Sequence, residues 1–107
     1  MFEEIFRNVK KNRPLIHCIT NFVTANDCAN ILLACGASPV MAEAPQESAE
    51  VTAHARGLCL NMGTLTRDKA EAMLSSGKEA NRRGIPVVLD PVGIGLTSFR
   101  RETAKQL

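Results

Sequence analysis

The chain contains no tryptophan and no tyrosine, and only four phenylalanines among 107 residues. Its basic residues cluster only in small pairs, Lys10-Lys11, Arg82-Arg83 and Arg100-Arg101. Such pairs read as solvated helix ends. The clustered, aromatic-interleaved basic surface of a nucleic-acid binder is missing. No C-x-x-C pair is present: Cys18, Cys28, Cys35 and Cys59 stand singly among apolar neighbours. That is the pattern of reduced cysteines acting as small hydrophobes, and the regular alternation of strand and helix argues against a disulfide framework. Neither His17 nor His54 lies at metal-ligand spacing from a cysteine pair, which gives a zinc site little support. The longest apolar stretch, Ile31 to Ala42, is interrupted by Gly36, Ser38 and Pro39. It falls short of the ~20 residues that span a bilayer. The start, Met1-Phe2-Glu3-Glu4, is acidic where a signal peptide is basic and then apolar. A soluble cytoplasmic protein with no membrane or nucleic-acid partner is the resulting expectation.

What is present is a regular alternation. Hydrophobic residues make up 45% of the chain, and thirteen basic against eleven acidic residues leave a charge of +2. That composition is globular, and the length fits one small domain or part of a larger one. Phe2, Ile5, Phe6 and Val9 repeat at helical spacing and make an amphipathic first helix, stopped by Pro14. Leu15–Ile19 reads as a strand. Thr24 to Asp27 should then form a capping box, with Asp in place of Glu or Gln. Ala25, Cys28, Ala29 and Leu32 give the next helix its buried face, and Gly36 ends it. A short strand at Ser38–Met41 follows, then a weakly periodic helix opened by Pro45. Next come a strand at Leu58–Asn61, a helix capped by Thr66 and ended by Gly84, a strand at Val87–Asp90 and a last helix from about Ser98. This order predicts an α/β fold, a mostly parallel sheet with helices on both faces. The helix reaching Leu107 reads as part of an incomplete domain.

Three apolar runs end in polar residues at Asn21, Asn61 and Asp90. Ligands of open α/β sheets bind beyond the carboxyl ends of the strands, so all three should stand at one rim. Asp90 follows Val87-Val88-Leu89, where a carboxylate needs pairing, water or a metal. It could equally cap a loop by accepting backbone N–H bonds. Asn21 and Asn61 offer donor and acceptor together, for a heterocycle or for loop order. His17 and Cys18 are adjacent on a strand and point to opposite faces, so they form no dyad and should both be packed. His54 should be exposed. Gly93-Ile94-Gly95 lacks the further glycine of a dinucleotide fingerprint, since position 98 is Ser98, and no G-x-x-x-x-G-K-[ST] string occurs.

Read in order, PLIHCITNFVTANDCAN (Pro14–Asn30), LLACGASPVMAEAP (Leu32–Pro45), LCLNMGTL (Leu58–Leu65) and GIPVVLDPVGIGLTSFR (Gly84–Arg100) closely resemble the hydroxyethylthiazole kinases of thiamine salvage. The resemblance implies a ribokinase-like fold, of which residues 1–107 would be the amino-terminal portion of a single kinase domain. It implies transfer of the γ-phosphate of ATP, with Mg²⁺, to the primary alcohol of 4-methyl-5-(2-hydroxyethyl)thiazole, in an enzyme assembled as a homotrimer. By resemblance Met41 would touch the substrate, Asn21 would border the thiazole, and Asn61 would order the rim. Asp90 would act beside the metal and the transferring phosphate. The R-G-N segment and the glycine-rich anion hole of the family have no counterpart before Leu107, so the short chain alone is expected to be inactive. A non-catalytic small-molecule binder and another ribokinase-like enzyme, such as an ADP-dependent nicotinamide-hydrate dehydratase, are the alternatives. The ITN and GASPVM strings favour the thiazole kinase over the dehydratase.

Overall fold

Parallel neighbours cannot be joined by a tight turn, so each strand of this chain hands over to a helix before the next begins. A computed structural model describes residues Met1–Leu107. It contains strands β1 (Leu15–Ile19), β2 (Ser38–Met41), β3 (Gly57–Asn61) and β4 (Val87–Asp90). They form one parallel sheet in the order β2-β1-β3-β4. The helices are α1 (Phe2–Asn12), α2 (Ala25–Ala34), α3 (Ser48–His54), α4 (Arg67–Arg83) and α5 (Ser98–Gln106). The expected α/β class and strand positions are therefore observed, with β3 starting one residue earlier, at Gly57.

Strand alternation divides the sheet into two unlike faces. Ile19, Leu58 and Leu60 pack with Met62 and with Ala72, Met73 and Ala80 of α4 to form the core, and Leu89, Ala104 and Leu107 adjoin it. Helices α3 and α4 pack against each other beneath this face. The opposite face carries Met41, Cys18, Cys59 and Val88 in register across the four strands. Helix α2 packs along β2, and Ala25 at its start shares a cavity with Cys18 and Met41. Cover thins from there toward β4. Cys18 is 2% exposed, Cys59 half-buried and Val88 64% exposed. The strands were expected to be covered on both faces; β4 is not, because no helix lies over its second face.

Local signals explain most helix ends. Thr66 Oγ1 accepts from Lys69 N at 3.1 Å and caps α4, and Gly84 stops that helix in a left-handed conformation, φ 71°. Two expectations fail. Thr24 makes no side-chain cap on α2, so the capping box does not form. Instead Asn21 Oδ1 accepts from the backbone N–H groups of Val23 and Thr24, both at 3.0 Å. The asparagine has taken the place of the threonine as the local acceptor. Nor does Pro45 open α3, which begins at Ser48 after a turn whose Glu47 and Ser48 N–H groups both reach Ala44 O. The amphipathic α1 forms, but its apolar face is bare: Phe2, Ile5 and Phe6 are at least half exposed. The face expected on α2 turns inward without any fully buried residue.

Candidate functional site

The ends of β1, β3 and β4 are joined by side chains. Asn21 Nδ2 donates to Asn61 Oδ1 at 2.9 Å, and Asn61 Nδ2 donates to Asp90 Oδ2 at 3.0 Å. Asn61 and Asp90 are direct partners in the β3–β4 register, and Met62 N continues the ladder to Asp90 O. The three residues thus stand at one rim as a continuous chain of amides ending on a carboxylate. Because the Asn21 oxygen is committed to the backbone ahead of α2, its NH₂ is aimed at Asn61, and the orientation of each amide follows from its partners.

Gly63 closes the arrangement. Its N–H donates to Asn61 Oδ1 at 2.8 Å. A Cβ at this position would lie 2.7 Å from Asn21 Nδ2 and 2.9 Å from Asn61 Oδ1, so any larger residue would displace one of the two amides. Arg100 holds the rim from outside. Its Nη1 donates to Met62 O and to Val92 O, each at 3.0 Å, tying the loop after β3 to the loop after β4. Arg100 was expected as a solvated helix end. It lies in the first turn of α5 and is part-buried, whereas Arg82 and Arg83 are exposed and pair with Glu79.

Met41 ends β2 and is 38% exposed. It walls a cavity of about 240 Å³ with Cys18, Asn21, Phe22, Ala25 and Glu43 among the lining residues. Asn61 and Asp90 do not line this cavity; Asn21 is the residue shared between cavity and polar chain. Glu43 is approached by the buried Lys69, Nζ to Oε2 3.6 Å, which links the segment after β2 to the start of α4. His17 fixes the same segment from below. Its Nε2 donates to Ala42 O at 2.7 Å, and Thr52 Oγ1 meets Nδ1 at 2.8 Å. Burial pushes the imidazole below its usual pKa, opposed by the Ala42 carbonyl and by Glu47. His17 is thus a satisfied packed histidine on the core face, back to back with Cys18, and His54 is exposed.

Asp90 itself is exposed. The expected desolvated carboxylate is not observed, since Val87 and Val88 beside it are open to water. No group of three or more acidic, histidine or cysteine side chains could enclose a metal ion. One free carboxylate edge suits Mg²⁺ only in its usual protein mode, with most ligands drawn from water and substrate phosphates. Gly63, Arg100, Glu43 and Lys69 were not singled out from sequence. The available signal was a glycine two residues beyond a strand-end asparagine; Arg100 was hidden in an ordinary basic pair.

Comparison with known proteins gives a consistent result. The model of the "HK: Hydroxyethylthiazole kinase family" matches residues 6–107. A hydroxyethylthiazole kinase of Clostridium acetobutylicum is 55% identical over 107 residues, covering 100% of this chain and 39% of that protein. One of Methanoculleus marisnigri is 60% identical over 99 residues, covering 92% of this chain and 36% of that protein. A solved hydroxyethylthiazole kinase structure from Pyrococcus horikoshii OT3 superposes with a TM-score of 0.91 at 46% identity, covering 96% of this chain and 41% of its own. The chain therefore spans well under half the length of the relatives it matches. No helix is long and apolar enough to cross a membrane.

Proposed function

Given that this chain belongs to the hydroxyethylthiazole kinase family, we propose that it supplies the alcohol-binding side of an ATP-dependent phosphotransfer in thiamine salvage. The acceptor is the primary alcohol of 4-methyl-5-(2-hydroxyethyl)thiazole. One observation carries the reading: the Met41 cavity and the Asn21–Asn61–Asp90 chain are contiguous through Asn21. A flat, weakly polar ring needs an apolar wall with few polar groups, and Met41 with Phe22 and Ala25 offers one. Phosphoryl transfer needs positioning and charge neutralisation rather than covalent chemistry from the protein.

The geometry supports the roles that the family resemblance implies. Met41 covers the ring, Asn21 borders it, and Asn61 orients Asp90 by occupying one carboxylate oxygen. The other carboxylate oxygen is left to take part in holding a hydrated Mg²⁺, which when bound offsets phosphate charge. Arg100 keeps the two strand-end loops in register for this. The uncovered apolar faces of α1 and β4 fit assembly with further protein surface, and a homotrimer in the cytoplasm is the state proposed for the working enzyme.

On this reading residues 1–107 bind the thiazole but do not phosphorylate it unaided. The test has two arms. Chemical-shift mapping with the thiazole alcohol should perturb Asn21 and Met41. Labelled ATP with Mg²⁺ should yield thiazole phosphate only when the remaining part of a longer relative is added. Shifts confined to other residues would overturn the site, and turnover by 1–107 alone would overturn the division of labour.

A further inference from the structure

Cys18 and Cys59 are register partners on the adjacent strands β1 and β3, and both thiols are free. Register partners of a parallel pair project to the same face of strands about 4.8 Å apart. That spacing lies within the roughly 4.4–6.8 Å between Cα atoms that a disulfide spans. The face is the thinly covered one. Cys18 borders the Met41 cavity and Cys59 is half-buried, on the side leading to the exposed Val88. The proposed phosphotransfer uses neither sulfur.

The two thiols are electrostatically unequal. The adjacent Cys18 thiol holds the Cys59 pKa below its usual value, against the opposing effects of burial and of Asp90. The same contact, with burial, raises Cys18. Cys59 therefore ionises first, and Cys18 is the neighbour positioned to resolve whatever forms on it.

We propose that Cys18 and Cys59 are an oxidant-sensitive dithiol beside the candidate substrate cavity, closed by a hydroperoxide into a disulfide that staples β1 to β3. The Cys59 thiolate attacks one peroxide oxygen and the O–O bond breaks. The departing hydroxide or alkoxide takes up a proton, leaving Cys59 as a sulfenic acid. The Cys18 sulfur then displaces hydroxide from that sulfenic sulfur; the S–S bond forms, the S–O bond breaks, and the Cys18 proton leaves with the hydroxide as water. Two thiols lose two electrons and two protons, and one hydroperoxide is reduced to two waters, or to water and an alcohol. Parallel side chains must bend toward each other to close the bond, so it is strained and readily re-reduced. Closure draws Cys18 from the cavity wall it shares with Asn21 and Met41, coupling redox state to occupancy.

The experiment treats the 107-residue chain with stoichiometric hydrogen peroxide and maps cross-links by mass spectrometry of a non-reducing digest. The expected product has lost two hydrogens, joins the peptides of Cys18 and Cys59, and reverts with dithiothreitol. Cys28→Ser with Cys35→Ser should leave it intact. Cys18→Ala should halt Cys59 at a dimedone-trappable sulfenic acid and move its thiolate absorbance midpoint upward. Treatment in urea should scatter cross-links among all four cysteines, showing that the pairing belongs to the fold. A dominant link to Cys28, or oxidation of both residues without a link, in the native wild-type chain would overturn the proposal whatever the variants do.

Discussion

Asn21 and Asn61, separated by 40 positions in sequence, meet amide to amide across β1 and β3 at 2.9 Å. The contact leaves no room for a side chain at position 63. Gly63→Ala would put its methyl within 2.7 Å of the Asn21 nitrogen, so one amide must turn away. We expect a loss of about 1–3 kcal/mol, the usual scale of overpacking. Gly77→Ala is the matched control, because nothing lies within 4 Å of the added atom inside α4. It should stabilise by roughly 0.5–1 kcal/mol. Urea unfolding of both variants checks the pair of signs.

His17 makes stability depend on pH. Its folded pKa is depressed, so between that value and the ordinary one, about 6.5, the unfolded chain binds more protons than the folded chain. Its contribution is therefore complete above pH ~6.5 and is lost as the pH falls toward the folded value. Denaturation midpoints from pH 7.5 to 5 should decline in the wild type. The decline should flatten in His17→Gln, which keeps a donor for Ala42 O but cannot titrate. An equal decline in both would assign the effect to other groups.

Ser76 Oγ in α4 is buried without a hydrogen-bond partner. Replacing it by alanine removes a desolvated hydroxyl and improves helix propensity. Ser76→Ala should gain about 1 kcal/mol, or some 4–8 °C in Tm for a chain of this size. Calorimetry would detect the gain, and a lower Tm would mean that the hydroxyl has a partner.

In a complete enzyme carrying these residues, Asp90→Asn should reduce kcat by about 10²-fold or more while leaving thiazole affinity nearly unchanged. The substitution keeps shape and the rim hydrogen bonding but removes charge. Met41→Ala should instead raise KM, since its contact exists both before and during transfer. Steady-state kinetics over a magnesium titration separates the two. Near-normal kcat in the first variant would make Asp90 a loop residue.

Phe2, Ile5 and Phe6 present an uncovered apolar stripe, and Val88 another. Patches of this kind drive association. Light scattering of the 107-residue chain should show a mass that rises with concentration, and Phe6→Glu should reduce it. A strict monomer at high concentration would mean that these faces are inert.

The strands were legible because apolar runs between Gly and Pro are short, and the polar residues ending them had only one direction in which to face. Asn21, Asn61 and Asp90 therefore fell at one rim as expected. What lay hidden was the competition for backbone donors. Thr24 and Asn21 are both good local acceptors, and only the chain path after β1 decides that Asn21 wins. The exposure of Asp90 was equally hidden, because Val87 and Val88 look buried in sequence and sit at a sheet edge in space. Arg100 reaches across to Met62 O, 38 positions away, a distance that local reading does not bridge.

The order β2-β1-β3-β4 sets how this chain must find its structure. Every ladder joins parallel strands, so no hairpin exists to seed the sheet, and each pairing waits for an intervening helix to fold back. β1 sits between two partners that are made after it. The unit β1–α2–β2 can close first during synthesis, leaving the inner edge of β1 open until β3 emerges. The future contact between Asn21 and Asn61 is thus a late event, and the rim comes together only when the centre of the sheet does.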